Sequence, residues 1–126
     1  MKFQLHDPPR VFAVGNVKVV RITDCARIQL EPDEQVTFST ESGGEYDVVR
    51  KPWGFYATPS LNGRLQRFGL RAALIKSTAA KYYIFLIESG KEAECQSYMD
   101  IEGHRLICWL DDDRQLAALE HLLQVQ

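Results

Sequence analysis

The sequence predicts an α+β fold in which a mainly antiparallel β-sheet carries two helices in the C-terminal third. Segments that alternate apolar and polar residues, or that are rich in β-branched residues, fill most of residues 10–88. Both segments with helical spacing lie after residue 88. A chain of 126 residues can bury a core without a metal or disulfide bonds, so a single domain over residues 1–126 is expected.

The N-terminal half is predicted to be a series of short strands joined by turns. Residues 1–9 are expected to form a flexible N-terminal tail, which Pro8-Pro9 stiffens at its end. Gly15-Asn16 lies between the first two strands and indicates a hairpin. The predicted strands cover residues 10–14, 17–23, 26–30, 35–40 and 45–50.

Two further strands are predicted over residues 70–76 and 81–88, joined by a short turn. Residues 82–87 are apolar on both faces of the second strand. Strands that are buried on both faces have this pattern. The sequence therefore predicts that residues 82–87 form a central strand, covered on one side by a helix.

The predicted helices have signals at their ends. Ser89 and Glu92 have the spacing of a capping box, and Gly103 is placed to end this helix in the left-handed conformation. A strand over residues 104–110 is predicted next. The acidic residues 111–113 open the last helix, where carboxylates suit the positive end of the helix dipole.

Composition excludes several classes of protein. Apolar residues make up 45% of the chain and charged residues 25%, which is the balance of a globular protein. No apolar run approaches the ~20 residues of a membrane span, and the N-terminus lacks the apolar region of a secretory signal. The chain is therefore expected to be soluble and cytoplasmic. A net charge of −2 argues against a general affinity for nucleic acid or anionic membranes.

The charges are unevenly distributed along the chain. Residues 48–87 contain no Asp or Glu, and the rest of the chain therefore has a large excess of acids. One interpretation is that basic and acidic strands pair their charges across a sheet. The other is a local positive field that attracts an anionic ligand. The basic residues of this acid-free window are Arg50, Lys51, Arg64, Arg67, Arg71, Lys76 and Lys81.

Residues 50–71 contain the predicted site. Residues 51–69 have neither helical nor strand periodicity, apart from a possible short strand over 55–57, and long irregular loops in small domains are often functional. Arginines there can bind a carboxylate or phosphate, aromatic rings can stack, and hydroxyl or amide groups can orient a ligand. The alternative is that the aromatic residues anchor the loop to the core and the arginines are solvated. The predicted ligand-binding residues are Arg50, Trp53, Tyr56, Ser60, Asn62, Arg64 and Arg67.

Part of this loop resembles a signature of small bacterial proteins of unknown function. The matching stretch reads Trp-Gly-Phe-Tyr-Ala-Thr-Pro-Ser-Leu-Asn-Gly-Arg-Leu over residues 53–65, followed by Phe-Gly-Leu-Arg over residues 68–71. The resemblance extends from about residue 24 to residue 110. It implies a bacterial, cytoplasmic single domain, and it implies no activity, cofactor or catalytic residue.

Motifs for metal, cofactor or hydrolytic chemistry are absent from the sequence. The three cysteines are widely spaced, and neither a phosphate-binding glycine loop nor a Gly-x-Ser-x-Gly motif occurs. His6, His104 and His121 fall in different predicted elements. Residues 111–113 are better explained as a helix cap than as a cation site. No metal and no cofactor are therefore expected.

Three functional hypotheses follow from these patterns. The first is a non-catalytic binding module for a small anionic or sugar-containing metabolite, held by the loop 50–71. The alternative is an interaction subunit or homo-oligomer, with a homodimer or a protein partner bound through an exposed sheet edge or the C-terminal helix. The third is an enzyme of unknown reaction, for which Tyr56, Ser60, Asn62 and Arg64 are candidate groups without an identifiable base. No nucleic acid or membrane partner is expected.

Overall fold

The computed structural model describes residues 1–124, and residues 125–126 of the predicted domain lie outside the described part. It confirms a small α+β fold made mainly of antiparallel sheet. The short helix α1 was not predicted. In chain order the elements are β1 (Lys2–Val14), β2 (Val20–Gln29), β3 (Gln35–Ser39), β4 (Glu45–Lys51), β5 (Gly54–Ala57), α1 (Arg64–Arg67), β6 (Leu70–Lys76), β7 (Tyr82–Glu88), α2 (Glu92–Glu102), β8 (Arg105–Trp109) and α3 (Asp113–Gln124).

The strands form three sheets, with strand orders β1-β2, β3-β4-β5 and β7-β6-β8. The contacts within the chain group it into two compact units. Unit 1 comprises residues 1–36 and 47–58, and unit 2 comprises residues 37–46 and 59–126. Among residues 1–124, no helix is both long and apolar enough to cross a membrane.

The long β1–β2 hairpin dominates unit 1. Val14 pairs with Val20, so the hairpin that Gly15-Asn16 predicted is confirmed, with a loop of residues 15–19. The two strands predicted over 17–23 and 26–30 are instead one continuous strand, β2.

The predicted flexible tail is wrong, because residues 2–9 belong to β1. Residues 2–5 pair in register with residues 26–29 of β2, and the register then shifts between Leu5 and Arg10. Pro8-Pro9 lies inside that shift. Proline cannot donate a hydrogen bond to a strand ladder, but an interruption in the ladder tolerates it. The proline pair therefore marks a break within the hairpin, not the entry to the fold.

In unit 2, β6 is the central strand of its sheet. It pairs with β7 from Leu70↔Glu88 to Lys76↔Tyr82, and with β8 on its other side. Ala72, Ala73 and Ile75 of β6 are completely buried. The prediction that residues 82–87 form the central strand is therefore wrong.

The N-terminal half of β7 is uncovered, which explains the error. Tyr82, Tyr83 and Ile84 are 59%, 50% and 63% exposed. Apolar residues of β7 are covered only at its C-terminal end, where Ile87 packs with Met99 of α2. A strand that is apolar on both faces can thus lie at a sheet edge when a helix covers only part of its length.

The two longer helices differ in how they begin. The predicted Ser89 cap is wrong, because the Ser89 N–H donates to the Gly69 carbonyl at 3.0 Å and α2 begins at Glu92 without a side-chain cap. The Glu92 carboxylate instead accepts from the Gly90 N–H at 3.0 Å. Gly103 ends α2 in the left-handed conformation with φ 74°, as predicted. The α3 helix is capped by Asp112, whose carboxylate accepts from the Gln115 N–H at 3.0 Å.

Unit 2 contains two buried apolar clusters, which lie on opposite faces of β6 because successive strand residues alternate in direction. One cluster is formed by Ala73, Ile75, Ile87 and Met99. The other is formed by Leu65, Leu70 and Ala72. Since Leu65 belongs to α1 and is completely buried, part of the predicted binding loop is a component of the core.

Candidate functional site

The predicted irregular loop consists of two structurally separate segments. Residues 50–58 belong to unit 1 and include strand β5, whereas residues 59–71 belong to unit 2 and include α1 and the start of β6. Arg50, Trp53 and Tyr56 therefore fall in one unit. Ser60, Asn62, Arg64 and Arg67 fall in the other, and each group is described in its own unit.

Ser60 holds the entry to α1. Its side-chain oxygen accepts from the Arg64 N–H at 3.1 Å, and its carbonyl accepts from the Leu65 N–H at 3.1 Å. A Cβ atom added at Gly63 would lie 2.6 Å from the Ser60 hydroxyl oxygen. Ser60 and Gly63 therefore form a tight turn before α1, which gives Ser60 a structural role.

The remaining predicted residues of unit 2 are largely engaged within that unit. The Asn62 amide donates to the Asp113 carboxylate at 2.9 Å. The Arg64 guanidinium lies over the Phe68 ring, 5.1 Å from its centroid, within the range of a cation–π contact. Arg67 is exposed in the last turn of α1. Asn62 thus links the turn before α1 to α3, whereas this Arg64 contact lies within residues 64–68.

Arg71 of the acid-free window is also a structural residue. Its Nε and Nη2 atoms lie 3.2 and 3.3 Å from the two carboxylate oxygens of Asp111, whose side chain is completely buried. The guanidinium lies over the Trp109 ring at 3.7 Å from the centroid. Arg71 therefore pairs with an acid from outside the window, although Asp111 lies in the turn after β8 and not in a neighbouring strand.

The β4–β5 hairpin of unit 1 presents aromatic side chains to solvent. Trp53 is 70% exposed and Phe55 is 63% exposed, so the alternative in which aromatic residues anchor the loop to the core is wrong for these two residues. The rings of Trp53 and Tyr56 are stacked, with centroids 6.1 Å apart and planes 23° from parallel. Gly54, at φ 145°, allows the turn between the strands.

Arg50 and Trp53 line one concave surface of unit 1, with a volume of about 590 Å³. The Arg50 guanidinium donates to the Leu30 carbonyl at 3.0 Å, which fixes its orientation. Arg27 of β2 enters the same surface. The lining contains no carboxylate and consists of Arg27, Ile28, Gln29, Leu30, Arg50, Pro52, Trp53, Gly54 and Phe55.

Lys51, which follows Arg50 in the chain, is already paired with an acid. Lys51 donates to the Asp33 carboxylate, and this hydrogen bond raises the pKa of Lys51. The Asp33 N–H donates to the Arg50 carbonyl at 2.6 Å, which holds the turn against β4. Within residues 1–124, neither Arg27 nor Arg50 forms an ion pair. Two positive charges are thus available at the concave surface.

Arg27 was not among the ligand-binding residues predicted from the sequence. It lies 23 residues before Arg50, outside the acid-free window and in a strand with alternating character. No local motif identifies it, because only the fold of unit 1 brings β2 and the β4–β5 hairpin to one surface. To identify Arg27 from the sequence, one would have to know which strands pair and which arginines lie near their ends.

A second concave surface of unit 1 surrounds the register shift in the β1–β2 hairpin. The His6 Nδ1 atom lies 3.1 Å from the Asp24 carbonyl oxygen and 3.5 Å from an Asp24 carboxylate oxygen. Arg10 donates to that carboxylate at 2.7 Å. The arginine neutralises Asp24. The described part of the chain contains no cluster of three or more His, Cys, Asp or Glu side chains suited to a metal ion.

Comparison of the chain with protein-family models, with curated proteins and with solved structures gave no match. The resemblance of residues 53–65 to a bacterial signature therefore stays a prediction. The concave surface at Arg27, Arg50 and Trp53 is defined by its own geometry alone.

Proposed function

We propose that this protein is a non-catalytic binding module for a small anionic or sugar-containing ligand, held at the concave surface of Arg27, Arg50 and Trp53. One observation carries the proposal: two arginines without ion-pair partners among residues 1–124 and an exposed tryptophan line a single surface that has no carboxylate. A ligand with a phosphate or carboxylate beside a ring or sugar matches that combination.

The arrangement assigns a role to each group. The bond from Arg50 to the Leu30 carbonyl uses an N–H of Nη1 and leaves the other N–H groups of the guanidinium for an anion. Because the side chain is already oriented, less conformational entropy is lost when a ligand binds. The Trp53 ring offers a stacking surface, and the Tyr56 ring stacks with it.

The proposal keeps Arg50, Trp53 and Tyr56 of the predicted set and adds Arg27. It does not require Ser60, Asn62 and Arg64, because each has contacts within unit 2, and it does not require Arg67. A bacterial origin, a cytoplasmic location and the absence of catalysis remain parts of the proposal.

A titration followed by ¹H–¹⁵N NMR tests the proposal with three probes: adenosine monophosphate, a uridine diphosphate sugar and citrate. The chain has two tryptophans, so the two indole N–H signals report on different places. We expect saturable changes at Trp53 and at residues 27–30 and 50–55, with Trp109 unaffected. Arg67→Ala is the matched control for Arg50→Ala, since both remove one arginine of the same window.

Absence of any change at residues 27–30 and 50–55 with all three probes would contradict the proposal. So would changes centred on residues 59–71, because these would place the ligand on the other unit. A second functional candidate, the interaction subunit or homo-oligomer, is favoured by the exposed edge of β7, which is independent of this surface.

A further inference from the structure

Strand β7 has an apolar edge without the usual protection. It pairs with β6 on one side, and among residues 1–124 no strand pairs with its other side. Natural sheets commonly protect such edges with charged residues, proline or a bulge. Residues 82–87 contain no charge and no proline, and the pairing of β7 with β6 runs without a register shift.

We propose that β7 pairs antiparallel with β7 of a second copy, about a two-fold axis at Phe85, to form one continuous six-stranded sheet. Exposed strand edges are recognised by another strand, because only an extended chain supplies the matching N–H and carbonyl groups. A two-fold axis makes the same surface serve on both copies. In this register Tyr82 faces Glu88 of the second copy, Ile84 faces its Leu86, and Phe85 faces itself.

The existing pairing within the sheet makes this register self-complementary. Leu74 of β6 pairs with Ile84, and Ala72 pairs with Leu86. When the second copy is added, the row formed by Leu74 and Ile84 continues through Leu86 and Ala72 of that copy. Four apolar side chains then lie side by side across the joined sheets on one face. On the other face, Ala73 and Phe85 meet the same two residues of the second copy. Apolar cross-strand pairs of this kind stabilise sheets.

Charge also favours this register. Lys76 pairs with Tyr82, and its Nζ lies 5.4 Å from the centre of the tyrosine ring. Glu88 of the second copy would extend the same row, which then has a lysine at one side of Tyr82 and a carboxylate at the other. Because of the two-fold symmetry, this row occurs twice in the dimer. If the register were displaced by two residues, Glu88 of one copy would lie opposite Ile84 of the other copy, or beyond the end of its β7 strand.

The Glu88 carboxylate is charged at neutral pH. The Ser42 hydroxyl donates to it, and this hydrogen bond lowers the pKa of Glu88. The Lys91 Nζ atom lies 3.6 Å from a Glu88 carboxylate oxygen. A carboxylate accepts several hydrogen bonds, so these contacts leave capacity for the Tyr82 hydroxyl of a second copy.

The expected association is weak. Covering the exposed parts of Tyr82, Tyr83 and Ile84 removes on the order of 300 Å² of surface per copy, below the roughly 800 Å² per partner of a standard stable interface. A dimer is therefore expected to form and dissociate with concentration, and not to persist on dilution.

Sedimentation velocity across micromolar to millimolar concentrations tests the proposal. The wild-type chain is expected to move from monomer to dimer, whereas Ile84→Lys stays monomeric because it places a charge in the centre of the joined sheet. Leu122→Lys on α3 is the matched control, with a leucine that is 60% exposed, and it should dimerise like the wild type. A monomeric wild type throughout, or a dimer lost in Leu122→Lys and kept in Ile84→Lys, would overturn the proposal.

Hydrogen exchange of the wild-type chain gives an answer that needs no variant. Amides of β7 should become more protected as concentration rises, and those of β8, at the opposite edge of the same sheet, should not. Dimerisation with unchanged exchange in β7, or with protection in β8, would place the interface elsewhere. Failure here leaves the ligand site of unit 1 untouched, since that site uses different residues.

Discussion

Residues 50–57 and 70–76 belong to the same acid-free window but have opposite roles. In the first segment, Trp53 and Phe55 are exposed and Arg50 lines a concave surface. In the second, Ala72, Ala73 and Ile75 are completely buried, and Arg71 pairs with a carboxylate 40 residues away. A window without acids therefore does not define a positive surface, because the fold brings in acids from distant segments.

Burial explains the difference between the two arginines. The Asp111 side chain has no exposure to solvent, and an unpaired buried carboxylate is costly. Arg71 is therefore committed to Asp111. Arg50 instead donates to the neutral Leu30 carbonyl, and so its positive charge remains available to a ligand.

The largest expected effect is the loss of stability when a side chain of the second segment, but not of the first, is truncated. Ile75→Ala should lower the free energy of unfolding by about 2–5 kcal/mol, because it leaves a cavity in the core. Trp53→Ala removes a larger side chain but should change stability by less than about 0.5 kcal/mol, since Trp53 is at the surface. Urea unfolding curves measure both. A Trp53→Ala loss as large as that of Ile75→Ala would contradict the assignment of the hairpin as a free surface.

The second prediction concerns the buried ion pair. Asp111→Asn should cost about 3 kcal/mol, at the lower end of the 3–5 kcal/mol typical of a broken buried pair, because Arg71 is 32% exposed. Asp33→Asn is the control and removes an acid that is 70% exposed and pairs with Lys51, at an expected cost of about 0–1 kcal/mol. Equal shifts of the two unfolding midpoints would mean that Asp111 has no special structural role.

A third prediction addresses ligand affinity. Arg50→Ala should weaken binding roughly 10-fold or more, since a charge-assisted hydrogen bond is worth about 1.5–3 kcal/mol. Arg50→Lys should restore only part of the affinity, because an ammonium lacks the planar fork. Arg64→Ala should leave the affinity unchanged. Calorimetric titration with the probe that binds most tightly measures these affinities. A loss of affinity in Arg64→Ala with none in Arg50→Ala would instead place the site at α1.

The smallest expected effect is on acid stability. Hydrogen bonds lower the pKa of Glu88, through Ser42, and of Glu34, through the Glu31 N–H. For a lowered pKa, the stabilisation is present above the unfolded pKa of about 4.3 and is lost as pH falls through the folded value. Glu88→Gln and Glu34→Gln should each make stability less dependent on pH below about 4.5. Unchanged acid unfolding profiles in both variants would argue against these hydrogen bonds in solution.

Local pattern predicted most of the elements and failed where position in a sheet mattered. The apolar run of residues 70–76 and the glycine at residue 103 gave β6 and the end of α2 correctly. Pattern could not separate β6 from β7, because both are apolar and only the partners of each strand decide which is central. Ser89 does not cap α2 because the helix begins three residues later, at Glu92, and the Ser89 N–H donates to the Gly69 carbonyl instead of to Glu92.

The candidate site was predicted only in part for a similar reason. Arg50 and Trp53 were identified by composition, and both line the concave surface. Composition also selected Ser60 and Asn62, whose polar groups have partners in unit 2. Arg27 required knowledge of which strand lies beside the hairpin, and this depends on contacts between residues far apart in sequence.

The most direct test compares the Nε–H signals of Arg50 and Arg71 by ¹H–¹⁵N NMR, with and without adenosine monophosphate. We expect a slowly exchanging Arg71 signal that the nucleotide does not move, because Asp111 already accepts from that group. The Arg50 signal is expected to shift in a saturable manner. A shift at Arg71 with none at Arg50 would contradict the central claim that only the first segment of the acid-free window is available to a ligand.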